Sequence, residues 1–408
     1  MQDQIEKYTQ KLIRDRVAVS GSIRFFAMDD VLLSSRDDEW RPIFEEILDK
    51  LNVVGLLFAK PSLPFADYLI ARAPTSESRI YPRDSEVKTF LHDIPFIRRE
   101  SMGDGLTEAI TALLRERKGL IIEGAGFVTS GTVTLEQAYI VYSSIFHAVF
   151  IKYLHDILED GFQIPGEEGA FREFRENWVT IPSADDLMFR NWPLNERSSI
   201  VNVGEHKMYS RTEILNAVST VGRYIVDRGL VDSFFGNISF FDGNVIYISQ
   251  TGASLDELDG LIDQVPMDNS STCGITASSE LAVHRRIYEM TDYRMVLHGH
   301  PKFAVVISML CEERKNCNIT ECGKDCPETR MFFDIPIVPG EIGAGGIAKK
   351  VPPAINDYGR ALVIGHGPFC VGRNGFQEPF LDLVRVESLC REEYFKMLDK
   401  KLDRALEQ

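Results

Sequence analysis

Basic residues are in deficit in this sequence. Among its 408 residues, 45 lysines and arginines face 61 aspartates and glutamates, and the net charge of −16 argues against a nucleic-acid partner and for a soluble chain. A leading apolar run is missing too. MQDQIEKYTQKLIRDR is charged throughout, so no signal peptide is expected. Nor is any stretch fit to cross a membrane: the most apolar one, residues 138–154, is interrupted by Ser143, Ser144, His147 and Lys152 and is too short. These absences predict a cytoplasmic protein with no membrane partner. Histidine is scarce as well; the chain has eight, and only His92 falls between Ser35 and Asp93. Apolar residues are not scarce. At 44% they allow full cores, and the length suggests about two to three domains.

The histidines of interest come late. From Ala277 the sequence reads ASSELAVHRRIYEMTDYRMVLHGHP. Ser278-Ser279-Glu280 suits a helix start, with Leu281, His284, Ile287 and Tyr288 following at helical spacing. Met295-Val296-Leu297 then reads as a buried strand that ends in His298-Gly299-His300. Residues two apart on a strand share a face, so both imidazoles can reach one metal ion. A second apolar strand, Ala361 to Ile364, ends in Gly365-His366-Gly367. Three strand-end histidines and one helix-start glutamate suit a catalytic metal site with an open position. The alternative is three unconnected histidines, one of them a satisfied core residue.

With Gly236-Asn237-Ile238-Ser239, Thr251-Gly252, Ser278-Ser279-Glu280, His298-Gly299-His300 and His366-Gly367 in this order, the second half of the chain resembles the class II aldolase/adducin family. The resemblance runs from about Tyr209 to Leu398. It implies a three-layer α/β/α fold with a mixed, largely antiparallel central sheet. It implies that His298, His300 and His366 bind zinc or another divalent metal and that Glu280 is the general acid/base. It further implies that Asn237, Thr251, Gly252, Ser278 and Ser279 bind a substrate phosphate, a role that hydroxyls at a helix start can fill without lysine or arginine. Two residues depart from the pattern. Phe234 stands where phosphate-binding members carry threonine, and Gly340 stands where the sugar-phosphate aldolases carry a tyrosine that acts as an acid in a neighbouring subunit's site.

The first half repeats parts of the second. Ser22 to Phe26, followed by Val31 to Ser34, echoes Asn237 to Phe241 and Val245 to Ser249. Asp93-Ile94-Pro95 repeats Asp334-Ile335-Pro336, and residues 119–131 lie over residues 360–372 without a gap. The chain therefore reads as a tandem duplication: a copy over residues 1–158, a linker over 159–207, and a copy over 208–408. Trp178 and Trp192 argue against a bare tether, so the linker is expected to wrap a domain surface. The copies differ in chemistry. Ala125 takes the place of His366 and His92 aligns with Phe333, so the first copy is expected to hold no metal. Near the position of Gly340 it has Arg98-Arg99, which could supply cationic donors to a neighbouring site or simply pair with Glu100.

Cys311, Cys317, Cys322 and Cys326 crowd into an inserted loop between the H-x-H strand and Asp334. In a cytoplasmic protein such clustering favours metal over disulfide, which leaves open a structural zinc, an iron–sulfur cluster or free thiols. The resulting expectation is a metal-dependent aldolase-like lyase acting on a small carbonyl or hydroxy compound, sugar or sugar-phosphate-like, through an enolate. A dehydratase or epimerase on the same scaffold and a non-catalytic adducin-like assembly protein are the alternatives. By resemblance to fourfold aldolase rings, a homo-oligomer is expected, with two chains forming a four-domain ring.

Overall fold

The computed structural model describes residues 1–406 except 29–30, 102, 104, 179–209, 233, 314–316, 320–321 and 341–343. The chain divides into two compact units, Met1–Trp178 and Val179–Gln408. No described helix is long and apolar enough to cross a membrane.

Each unit is built on one sheet. In the first, β1 (Arg24–Met28), β2 (Leu32–Ser34), β3 (Gly55–Ala59), β4 (Arg79–Ile80), β5 (Ile94–Ile97), β6 (Gly119–Ile122) and β7 (Gly126–Gly131) lie in the order β2-β1-β3-β7-β6-β5-β4. Only β5 and β6 pair in parallel. Side chains alternate across a strand, so Phe26, Leu56, Phe58, Leu120 and Val128 share one face. That face is covered by Phe44, Ile47 and Leu48 of α2 (Arg41–Lys50) and by Ile110 and Leu114 of α5 (Leu106–Glu116). The other face is covered by α6 (Leu135–Asp160), apolar nearly all round because α1 (Gln2–Arg14), α3 (Phe65–Arg72) and α4 (Ser85–Leu91) pack on it in turn.

The second unit contains β8 (Gly236–Phe241), β9 (Val245–Ser249), β10 (Ile262–Pro266), β11 (Met295–Gly299), β12 (Arg330–Phe332), β13 (Ile335–Val338), β14 (Arg360–Val363) and β15 (Gly367–Gly372), ordered β10-β9-β8-β11-β15-β14-β13-β12. Only β13 and β14 pair in parallel. One face carries α9 (Leu281–Met290) and α11 (Ala344–Tyr358) over Ile246, Val296, Val363 and Phe369. The other carries α10 (Lys302–Met309) and α12 (Gln377–Leu406), with α8 (Arg211–Asp227) beside them through Tyr224 and Phe380. A capping box between Ser210 and Glu213 starts α8, as suits the opening of this unit. The three-layer, mixed and largely antiparallel architecture is thus present in both units.

Without β10, the two strand orders are the same. The likeness extends to the backbone. His92 and Phe333, which align in the sequence, both have positive φ (64° and 52°), and so do Gly124 and Gly365 (74° and 63°). Two sequence expectations need correction. The first strand is slipped by two residues: Arg24 pairs with Phe58 as Asn237 pairs with His298, so Arg24, not Ser22, holds the place of Asn237. Runs rich in phenylalanine match equally well in either register, and only the cross-strand partner decides between them.

The second correction concerns the linker. Residues 159–178 do not leave the first unit but complete it. A short α7 (Glu167–Asn177) sets Phe171 and Phe174 among Phe65, Phe150 and Tyr153, and Trp178 closes the cluster at 5.2 Å from the Phe150 ring. The buried Glu167 carboxylate anchors this helix through Arg72 (2.8 Å) and the backbone N–H groups of Gln163 and Ile164. Trp192 lies outside the described residues.

Burial alone would raise the Glu167 carboxyl, but Arg72 and the two N–H donors hold it below its usual value. Its contribution to stability is therefore complete above the ordinary carboxylate range and is lost as pH falls through the lowered value. Arg72→Ala is expected to cost about 3–5 kcal/mol in urea unfolding, because it strands a buried charge. It should also move the acid-unfolding midpoint of the first unit to higher pH. An unchanged midpoint contradicts the anchoring role.

Candidate metal centre

Strand β11 runs through the middle of its sheet and delivers His298 on the same face as Val296, toward α9. His300 follows just past the strand end. The turn between β14 and β15 carries His366 to the same place, which requires the two backbones to approach closely. A Cβ on Gly367, whose φ is 159°, would lie 2.1 Å from the Gly299 carbonyl oxygen. Gly236 on the other side has φ 126° and would meet the His298 oxygen at 2.5 Å. Only glycine fits at either position.

The three imidazoles converge. One ring nitrogen from each of His298, His300 and His366 lies within 4.8 Å of the others, and all three residues are buried. His298 Nε2 is 2.9 Å from His300 Nε2. Aromatic rings fix the orientations: Phe369 stacks on His298 at 4.0 Å and Phe235 on His300 at 5.7 Å. The Glu280 carboxylate enters from the start of α9. Its Oε1 is 2.8 Å from His366 Nε2, and its Oε2 is 3.5 Å from His298 Nε2 and accepts from Asn237 Nδ2 at 2.7 Å. Glu280 occupies the helix N-cap position, but its side chain turns to the histidines instead of capping.

Burial pushes His298 down to about 4, against the pull of Glu280 and with the push of His366. It is neutral at neutral pH. The Pro368 carbonyl, 3.0 Å from Nδ1, accepts that N–H, so the bare nitrogen is Nε2, the atom facing the site. Burial would raise the Glu280 carboxyl, but the charge of His298, the hydrogen bond and charge of His366, and the Asn237 amide hold it well below the usual range. With His298 neutral, the Asn237 and His366 donors are what keep it ionised. A bare imidazole nitrogen, two further imidazoles and an adjoining carboxylate form a donor set that fits a divalent ion such as zinc. The other cluster of this kind, His155, Asp156 and Glu159, fits less well, because Arg83 and Lys152 already sit on Asp156 at 2.8 and 2.7 Å.

The residues expected to hold a phosphate divide. Thr251 and Ser279 meet at the surface, where Thr251 Oγ1 accepts from the Ser279 N–H at 2.9 Å and donates to the Ala277 oxygen at 3.1 Å. Gly252, with φ 69°, turns the chain beside them. Ser278 is buried and its hydroxyl accepts the Glu280 N–H at 3.3 Å. Asn237 has partners of its own. Its amide is buried and joins Glu280 to His284, whose Nε2 lies 2.5 Å from Asn237 Oδ1. Arg98 caps a helix: its guanidinium donates to the oxygens of Ile70, Ala73 and Pro74 at the end of α3, and Arg99 is exposed. Among the described residues, no three cysteines come close enough to share an ion. Cys311, Cys317, Cys322 and Cys326 are free thiols, with Cys322 and Cys326 directed at the oxygens of Ile319 and Glu328.

Sequence reasoning missed Ser239, His284 and Tyr288 as parts of the site. Ser239 Oγ is 2.6 Å from His284 Nδ1 and 2.5 Å from the Tyr288 hydroxyl. The signal was present: Asn237 and Ser239 are two apart on a strand, and Glu280, His284 and Tyr288 are four apart on a helix. Each set must share a face.

Among the described residues, the first unit has no counterpart of this histidine set. Phe58 stands in the place of His298, Lys60 in that of His300 and Ala125 in that of His366. Arg24, in Asn237's place, is taken up by Asp38 and the Ser22 oxygen, both at 2.6 Å. A cleft of ≈ 260 Å³ bordered by Lys60, Asp67, Ala125 and Phe127 remains there.

Comparison with known proteins bears on the second unit. Residues 216–394 match the model of the Class II Aldolase and Adducin N-terminal domain. An L-fuculose phosphate aldolase of Methanococcus maripaludis is 34% identical over 94 residues, covering 23% of this chain and 52% of that protein, so the chain spans about half of its length. Among solved structures, the L-fuculose-1-phosphate aldolase of Thermus thermophilus is similar at 24% identity with a TM-score of 0.37, over 48% of this chain and 97% of that one. A sugar-phosphate aldolase of Thermotoga maritima is similar at 19% identity and a TM-score of 0.33, over 46% of this chain and 96% of that one.

If the three imidazoles hold one ion, removing one of them empties or greatly weakens the site. Elemental analysis of His366→Ala should therefore find about one divalent ion per chain fewer than in the unaltered protein. Equal metal content in the two proteins rules this assignment out.

Proposed function

We propose that the second unit, whose residues 216–394 match the Class II Aldolase and Adducin N-terminal domain, is a metal-dependent aldehyde-lyase acting on a small carbonyl or hydroxy compound of the sugar or sugar-phosphate kind. The observation that carries this reading is the placement of Glu280. One of its oxygens is anchored by Asn237 and the other faces the histidines. A divalent ion held by His298, His300 and His366 would supply Lewis acidity toward a carbonyl or hydroxyl oxygen. Glu280 would take the proton either from the carbon beside the carbonyl, giving an enolate directly, or from the hydroxyl, giving an alkoxide whose C–C bond breaks to an aldehyde and the enolate, and would return it at the end of the cycle. Because the carboxylate is ionised at neutral pH, it is ready to act as a base. Burial of the imidazoles keeps bulk water from competing for that proton.

The L-fuculose phosphate aldolase relative supports a sugar phosphate as the first substrate to try. The Thr251–Ser279 surface beside Gly252 is where an anionic end would rest. A second reading is favoured by Gly340. It is buried and offers no side-chain acid, and a Cβ there would meet Val363 Cγ1 at 2.8 Å, so any side chain would require Val363 to move. A dehydratase or epimerase, which also begins with proton removal, needs no tyrosine there. On either reading the first unit is a copy of the fold that has lost the metal site.

Glu280→Gln keeps the shape and removes the base. With L-fuculose 1-phosphate and related sugar phosphates as probes, followed by their unphosphorylated forms, turnover should fall by about 10²–10⁴-fold while bound metal is retained. An undiminished rate in the glutamine variant removes Glu280 from the mechanism.

A further inference from the structure

Behind Glu280, away from the three histidines, four buried side chains form one hydrogen-bonded line, and we infer that this line, with His284 at its centre, positions the Glu280 carboxylate for proton transfer. The inference rests on the lyase reading for its catalytic consequence, though not for its geometry. Strand β8 offers Asn237 and Ser239 on one face, and α9 offers Glu280, His284 and Tyr288 on one side. The two sets interlock: Asn237 lies between Glu280 and His284, and Ser239 between His284 and Tyr288.

The chemistry of each member fixes the direction of every bond. Asn237 presents its NH₂ to Glu280 Oε2 at 2.7 Å. That turns Asn237 Oδ1, also an acceptor, toward His284, whose Nε2 must therefore carry a proton. His284 is fully buried, and burial holds it down at about 3, so its imidazole is neutral and Nδ1 is bare. The Ser239 hydroxyl then donates to Nδ1 and accepts from the Tyr288 hydroxyl. All the donors point toward Glu280, and reversing one bond breaks its neighbour.

The consequence is a division of labour within one carboxylate. Oε2 is held at the end of the line, and Oε1, 2.8 Å from His366, is the oxygen left to exchange a proton. His284 touches no reacting atom; it is a positioning residue that acts through Asn237. The first unit supports this pairing of line and site. Where the second unit has Asn237 and Ser239, the first has Arg24 and Phe26, and a phenyl ring cannot pass on a hydrogen bond. The line is present where the three histidines are and is lost where they are lost.

Two variants of the full chain test this. In His284→Gln, an amide can still accept from Ser239 and donate to Asn237; in His284→Leu, neither is possible. Long-range ¹H–¹⁵N spectra of the histidine-labelled protein should show His284, assigned through its loss in the Gln variant, with a proton on Nε2 and a bare Nδ1. Crystal structures should show Glu280 unmoved in the Gln variant and in a changed rotamer in the Leu variant. Neither measurement needs a substrate, so each judges the line even if the lyase reading fails. Where turnover is found, the Leu variant should lose about 10²-fold in kcat with KM and bound metal little changed, and the Gln variant should recover most of it. A proton on His284 Nδ1, an unmoved Glu280 in the Leu variant, or equal kcat losses in both variants overturns the inference.

Discussion

A buried carboxylate is the constraint on which the second unit depends. An ionised Glu280 in the interior is costly unless it is hydrogen-bonded, and the surrounding elements supply the bonds. Strand β8 brings Asn237, the turn before β15 brings His366, and the start of α9 brings Glu280 itself. Each contribution needs a particular backbone. Gly236 and Gly367 let β8 and the His366 turn close on the end of β11, and a methyl group at either would hold the histidines apart. The same closeness that satisfies the carboxylate gathers three imidazoles around one point.

The two units show that a fold and its chemistry are separable. Strand order, the parallel pair and the positive-φ positions of the turns are common to both. These features come from sheet geometry, and they tolerate Phe58 for histidine or Ala125 for histidine without complaint. The site requires that several side chains be right at once. In the first unit Arg24 has Asp38 as a partner, and Phe26 and Phe58 pack against Phe44.

Much of this was legible in the sequence. The strand-end histidines, the layered fold and the correspondence of residues 119–131 with 360–372 could be read from periodicity, motif order and ungapped likeness. Other features were not. The slip of β1 was hidden because neighbouring phenylalanines match in either register. The extent of the first unit was hidden because α7 is held by Glu167, and a glutamate in sequence looks like a solvated one. The partners of Asn237 are not legible either, because a motif reports which residue is present and not which hydrogen bonds it makes. The same holds for Arg98 and its three carbonyl partners at a helix end. The Tyr288–Ser239–His284–Asn237 line was visible as spacing, but spacing alone does not show that the strand and the helix face each other.

If His298, His300 and His366 hold the ion, its ligands are imidazoles. X-ray absorption at the zinc edge of the zinc-loaded full chain tests it most directly, because nitrogen and sulfur ligands differ in distance. The expected result is about three nitrogen ligands at about 2.0–2.1 Å with the scattering pattern of imidazole rings. Ligands dominated by sulfur at about 2.3 Å, with no imidazole contribution, would place the metal on the cysteine loop and remove it from the histidines.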